Sequence, residues 1–127
     1  MERVLGIGGI FFKAQDKQAL GAWYRDNLGV PLEEAWGGAV FPWRVEGVGA
    51  EPYTVWSPFE ADTTYFEPSE KPFMINLLVR DLDAMRAQLI ANGCEVDERF
   101  EENEFGRFGW VMDPEGNRIE LLQPPAG

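Results

Sequence analysis

A chain of 127 residues with 45% hydrophobic and 13% aromatic residues is long enough for one compact domain with a packed core, and its composition argues against disorder. Its 22 acidic against 11 basic residues give a net charge of −11, which repels phosphates and argues against nucleic acid as a partner; the same field favours a cationic ligand or simply keeps the surface solvated. One cysteine excludes an internal disulfide. With no signal-peptide pattern after Met1 and no apolar run near the ~18 residues of a membrane span, a cytoplasmic protein without membrane contact is expected.

In chain order, residues 4–14 are rich in Ile and Phe and read as a first strand. Asp16 offers an N-cap carboxylate to a helix on which Ala19, Leu20, Trp23, Tyr24 and Leu28 recur at helical spacing, and Gly29 ends it. Short strands are expected near residues 32–36, 39–45 and 53–57, turned at Gly37-Gly38 and over residues 46–49. The connection over residues 58–72 carries Phe59, Tyr65 and Phe66; its length suits either a functional loop or a linker tied down by aromatic anchors. Residues 73–80 then read as a strand, Asp81 caps a helix with Leu82, Met85 and Leu89 on one face, and Gly93 ends it. Strands follow near residues 95–101, 108–112 and 118–123, the last two joined by a type I turn at Asp113-Pro114-Glu115-Gly116.

The two halves repeat each other. Asp16 to Asp81 is an offset of 65, Gly29 to Gly93 one of 64, and Trp56-Ser57-Pro58 matches Leu122-Gln123-Pro124 at 66. The expected fold class is α+β: one βαβββ module over about residues 1–58, the linker 58–72, and a second module over about 73–127. Two such modules pack as a single domain, with a site between them.

This plan, with Trp23-Tyr24 before Leu28-Gly29 at the first helix end and Asp113-Pro114-Glu115-Gly116-Asn117-Arg118-Ile119-Glu120-Leu121 near the close of the chain, resembles the vicinal oxygen chelate superfamily. Glyoxalase I, extradiol dioxygenases and the fosfomycin- and bleomycin-resistance proteins belong to it. The resemblance covers essentially the whole chain and implies sheets curled around a half-open cavity. In the superfamily's metalloenzymes the first and last strands of each module supply the metal ligands. The resemblance carries those positions onto Gly9 and Met74, seven residues before Asp16 and Asp81, onto Glu120, three after Asn117, and onto Thr54 at the offset of 66. Glycine has no ligating side chain, a threonine hydroxyl is a poor ligand, methionine suits soft metals, and one carboxylate alone holds a divalent ion weakly. The chain contains no histidine, so the usual metal site is read as absent and no cofactor is expected.

If Gly9 and Met74 face the cavity, strand alternation puts Phe11, Lys13, Asn76 and Leu78 there too. Arg118, Glu120 and Leu122 face it from the last strand, and Trp110 and Met112 from its hairpin partner. The opposite set, Ile10, Phe12, Ala14, Ile75, Leu77 and Val79, is apolar and is expected beneath the helices. Phe11, Met74 and Trp110 either wall a ligand pocket or fill that space as core. Glu120 is the candidate catalytic residue, a general base with a raised pKa, unless it pairs with Lys13 or Arg118. Those two cations are placed to hold an anionic ligand group, and Asn76 to fix a carbonyl. Cys94 has no histidine to activate it and reads as a buried, inert thiol. Gly6, Gly8 and Gly9 read as points of close backbone approach.

Two functional readings stand. One is a metal-independent binder of a small aromatic or cationic molecule, as the likeness to bleomycin-resistance proteins implies. The other is an enzyme of lyase, isomerase or dioxygenase type, using Glu120 or an atypical carboxylate metal site. A homodimer is expected in either case, the competing reading being a monomer whose linker folds back on its own surface. Each module leaves a sheet edge, five Trp and nine Phe exceed one small core, and the aromatic linker is placed to cover a partner's cavity mouth.

Overall fold

Two aspartates start the two helices. Asp16 and Asp81 both have extended backbone, and their carboxylates accept from the amides of Ala19 and Ala84 at 3.0 and 3.1 Å, satisfying donors that the first helical turn leaves free. Gly29 at φ 67° and Gly93 at φ 78° stop them in the left-handed region that glycine adopts without strain. A computed structural model describes residues 1–43 and 52–125. In chain order the elements are β1 (Val4–Ala14), α1 (Lys17–Leu28), β2 (Leu32–Glu33), β3 (Gly38–Pro42), β4 (Tyr53–Glu60), β5 (Phe73–Val79), α2 (Leu82–Ala91), β6 (Glu95–Asn103), β7 (Gly106–Met112) and β8 (Arg118–Gln123).

The βαβββ plan therefore occurs twice, and all eight strands join one curled, unclosed sheet in the order β2-β3-β4-β1-β5-β8-β7-β6. β1 and β5 meet antiparallel at its centre, while β4 runs parallel to β1 and β8 parallel to β5. The expected strand over residues 32–36 is reduced to two residues, because Trp36 and Gly37 turn back toward Glu33. β3 ends at Pro42, and the expected turn over residues 46–49 lies outside the described residues. The β7–β8 turn forms as read: Asp113 Oδ1 accepts from the amides of Glu115 and Asn117, and Gly116 takes φ 83°.

Helix α2 packs as its spacing indicates, with Leu82 and Met85 buried against Val79, Val111 and Leu121. Helix α1 does not bury its whole apolar set. Trp23 and Leu28 are 54% and 62% exposed, and the helix meets the sheet through Gly21 and through Tyr24, whose ring lies 4.8 Å from that of Trp56. On the outer face Ala14 and Val79 are buried, but Ile10 and Ile75, expected beneath the helices, are exposed. The two helices flank the central strands and leave the β1–β5 seam uncovered.

The register corrects one alignment. Phe11 pairs with Ser57 across β1 and β4, and Asn76 pairs with Glu120 across β5 and β8. Phe11 and Asn76 each stand five residues before a capping aspartate, so Ser57, at an offset of 63, is the counterpart of Glu120. Thr54, reached through the offset of 66, is an odd number of residues from that position and points to the other face. Its hydroxyl donates to the Ile7 carbonyl at 2.5 Å and accepts from Trp43 Nε1 at 2.9 Å.

Candidate functional site

The four central strands bring Val55, Gly9, Asn76 and Glu120 side by side in one row. Above that row lies a cavity of about 640 Å³. Phe11, Val40, Tyr53, Val55, Phe108 and Leu122 form most of its wall, and the exposed side chains of Glu33 and Phe105 stand with Trp36 among its lining groups. Glu33 accepts from Trp36 Nε1 at 2.6 Å. Asn76 and Glu120 are the buried polar side chains of the lining, each 2% exposed.

Glu120 accepts three hydrogen bonds. Tyr65 Oη donates to Oε2 at 2.5 Å, Trp110 Nε1 donates to the same oxygen at 3.1 Å, and Asn76 Nδ2 donates to Oε1 at 2.8 Å. Burial raises the carboxyl pKa above its ordinary value; the three donors and the Arg118 charge oppose that rise without cancelling it. Burial and the neighbouring Glu120 charge likewise raise the Tyr65 phenol.

The expected site residues divide into two groups. Phe11, Asn76 and Glu120 share the cavity, whereas Met74 and Trp110 lie beneath it, packed with Phe11 and Phe66 as a buried cluster. The linker explains the difference. Phe66 is fully buried, Phe59 lies 5.2 Å from it and stacks on Tyr65 at 5.8 Å, and together they fill the end of the trough where Met74 and Trp110 sit. The linker, expected to reach a partner's cavity, thus seats its aromatic anchors in its own chain.

Lys13 stands outside the cavity with Nζ 5.9 Å from the Phe66 ring centre. Arg118, expected as a ligand cation, is 4% exposed and already engaged: it donates to the Tyr65 carbonyl, lies 3.7 Å from an Asp97 carboxylate oxygen, and stacks over Trp110 at 4.8 Å. It shares with Trp110 and Met112 a separate hollow of about 130 Å³. Neither Lys13 nor Arg118 makes a hydrogen bond or ion pair with Glu120 among the described residues. Cys94, expected to be buried, is exposed.

Sequence reasoning missed Tyr53, Val55 and Phe108 in the wall and Tyr65 on the carboxylate. Pairing Phe11 with Ser57 would have brought Tyr53 and Val55 inward by alternation. The glycines of β1 make room for side chains rather than for neighbouring backbone. A Cβ on Gly8 would stand 2.4 Å from Asn76 Oδ1, and one on Gly9 would stand 2.7 Å from the Phe11 ring.

The row does not suit a divalent metal. Glu120 is flanked by an amide, a glycine and a valine, and three protein donors already occupy its oxygens. Among the described residues no three His, Cys, Asp or Glu side chains converge.

The fold is similar to methylmalonyl-CoA epimerase from Mycobacterium tuberculosis, at 22% identity and TM-score 0.59, covering 96% of this chain and 89% of that one. It is similar to methylmalonyl-CoA epimerase in complex with methylmalonyl-CoA and NH4+, at 20% identity and TM-score 0.65, covering 98% and 97%. A glyoxalase/bleomycin resistance protein/dioxygenase superfamily member from Vibrio splendidus 12B01 matches at 14% identity and TM-score 0.57, covering 97% and 99%. At these identities the likeness is one of fold. No curated protein sequence matches the chain. The profile of the glyoxalase-like domain matches residues 9–122, from the middle of β1 into β8, and the chain belongs to that family.

Proposed function

We propose that this protein binds a small, largely apolar molecule in the 640 Å³ cavity without a metal, with Glu120 as the polar anchor of the site. The observation that carries this reading is an aromatic and aliphatic chamber, of a size usual for ligand pockets, whose buried polar side chains among the described residues are those of Asn76 and Glu120. Phe11, Tyr53 and Phe108 offer ring faces and edges to an aromatic ligand. The −11 charge and the Glu33 carboxylate favour a neutral or cationic molecule over an anionic one. The ligand named for the epimerase neighbour, methylmalonyl-CoA, carries phosphates that this field opposes, so a different ligand is proposed. Titration of an aromatic panel against the protein, followed by intrinsic fluorescence and thermal shift, tests the reading. Saturable binding that Val55→Phe blocks supports it; no binding by any neutral or cationic aromatic would overturn it.

One observation favours an enzymatic version. Glu120 Oε1 accepts a single hydrogen bond where Oε2 accepts two, and burial raises the affinity of the carboxyl for a proton, which suits a general base in isomerase-type proton transfer. Exchange of a carbon-bound proton of a bound ligand with solvent deuterium, abolished in Glu120→Gln, is the expected signature.

The proposal includes a cytoplasmic homodimer. Its support is the uncovered seam, where Ile7, Ile10, Phe73 and Ile75 keep 38–47% of their surface exposed on one face of β1 and β5. No helix among the described residues is long and apolar enough to cross a membrane. Sedimentation equilibrium at micromolar concentration tests the dimer, and a single species of 14.4 kDa would refute it.

A further inference from the structure

We propose that the cavity selects ligands that bring an N–H or O–H donor to Asn76 Oδ1, an aromatic N–H heterocycle being the fitting class. This inference rests on the cavity being a ligand site. The sequence suggests that Asn76 fixes a ligand carbonyl through its amide N–H. The structure engages that amide nitrogen with Glu120 Oε1 at 2.8 Å, and the atom of the side chain left without any partner is the amide oxygen. Asn76 is 2% exposed, and its Oδ1 has no hydrogen-bond partner. A buried acceptor left unpaired is unfavourable, and native interiors rarely keep one without a reason.

The surroundings reinforce the polarity. Tyr65 Oη, Trp110 Nε1 and one N–H of Asn76 Nδ2 all donate to Glu120, which takes up most of the donors beneath the cavity. A ligand donor finds the unpaired Asn76 oxygen and the remaining capacity of Glu120 Oε1. Gly8 makes room for that oxygen. It lines the cavity, it falls at the irregularity of β1 between Ile7 and Gly9, and a side chain on it would begin 2.4 Å from Asn76 Oδ1. The planar rings of the wall complete the match to a flat aromatic molecule.

The test compares three molecules of nearly one shape by calorimetric titration of the full chain: indole, which donates, benzofuran, which only accepts, and indene, which does neither. Indole is expected to bind at least about tenfold more tightly than benzofuran, the scale of one buried hydrogen bond made against one lost. In Asn76→Leu the ratio is expected to fall to within about threefold. The Asn76 side-chain carbonyl carbon, followed by NMR in the unsubstituted protein, is expected to shift with indole and not with benzofuran, which provides a readout if the variant does not fold. Benzofuran or indene binding as tightly as indole overturns the donor rule while leaving the cavity reading intact. Failure of all three to bind overturns the donor rule for this ligand class, and failure of the wider neutral and cationic aromatic panel overturns the cavity reading with it.

Discussion

Asn76 and Glu120 stand opposite each other on the parallel pair β5 and β8, and the Asn76 amide donates to the Glu120 carboxylate at 2.8 Å. Tyr65 from the linker and Trp110 from β7 donate to the same carboxylate. One side chain thus collects hydrogen bonds from three separate parts of the chain, and its removal is felt in each.

Glu120→Leu leaves three donors without an acceptor, those of Asn76 and Trp110 buried and that of Tyr65 partly so, and is expected to destabilise the fold by about 3 kcal/mol or more. Glu120→Gln is expected to cost less than half as much. Its oxygen still accepts from Tyr65 and Trp110, and the Asn76 amide turns over to accept from the new nitrogen. Urea unfolding of the two variants checks this, and equal losses would contradict the hydrogen-bond account.

The raised pKa of Glu120 sets a sign for pH. The folded chain holds this proton more tightly than the unfolded chain, so the contribution is full below the unfolded pKa and is lost as pH rises through the higher folded value. Glu120→Gln should therefore gain stability relative to the unsubstituted protein as pH rises from the ordinary carboxylate range, about pH 4, towards the raised folded value. Asp113, whose pKa is lowered mainly by hydrogen bonds from Asn117, works in the opposite sense, but it is common to both proteins and cancels in the difference. Thermal melts of both proteins across that range are the measurement, and a constant difference would remove Glu120 as the titrating group.

Tyr65→Phe removes a bond that favours the charged carboxylate. The Glu120 pKa is expected to rise further, visible as an upward shift of its side-chain carboxyl titration by carbon-13 NMR. An unchanged or lower midpoint would show that the Tyr65 contact is absent in solution.

Phe66 is fully buried against Phe11, Met74 and Trp110, so Phe66→Ala opens a void beneath the cavity and is expected to cost about 3–5 kcal/mol. A loss near zero, read from denaturant midpoints, would mean that the linker does not pack on its own chain.

Under the proposed metal-free binding, titration with Zn2+, Ni2+ or Mn2+ is expected to give no stoichiometric heat, and EDTA to leave the melting temperature unchanged. A saturating one-to-one isotherm would show that some other ligand set exists.

The parts of the fold legible in the sequence are those set by local chemistry. Asp16, Asp81, Gly29 and Gly93 mark helix ends because caps are satisfied within a few residues, and the Asp113–Gly116 turn is likewise self-contained. Alternation put Phe11, Asn76 and Glu120 on one face for the same reason. What the sequence concealed depends on distant pairing. The register of β4 is decided by β1 and not by the resemblance of Pro58 to Pro124, so Thr54 was placed on the wrong face. Whether Trp110 and Met74 wall the pocket or fill it as core stays open in the sequence, because nothing local shows that Phe66, 44 positions before Trp110, occupies that space. The Tyr65–Glu120 bond spans 55 positions and has no local signature beyond an aromatic linker.

The seam between β1 and β5 has a kinetic consequence. Residues paired across it lie 61 to 75 positions apart, so a long loop must close before any of that pairing is gained. The helix caps and the β7–β8 hairpin can form without it. Joining the halves is therefore expected to limit the folding rate, and the chamber, walled by Val55 from one half and Glu120 from the other, comes into being only after that step.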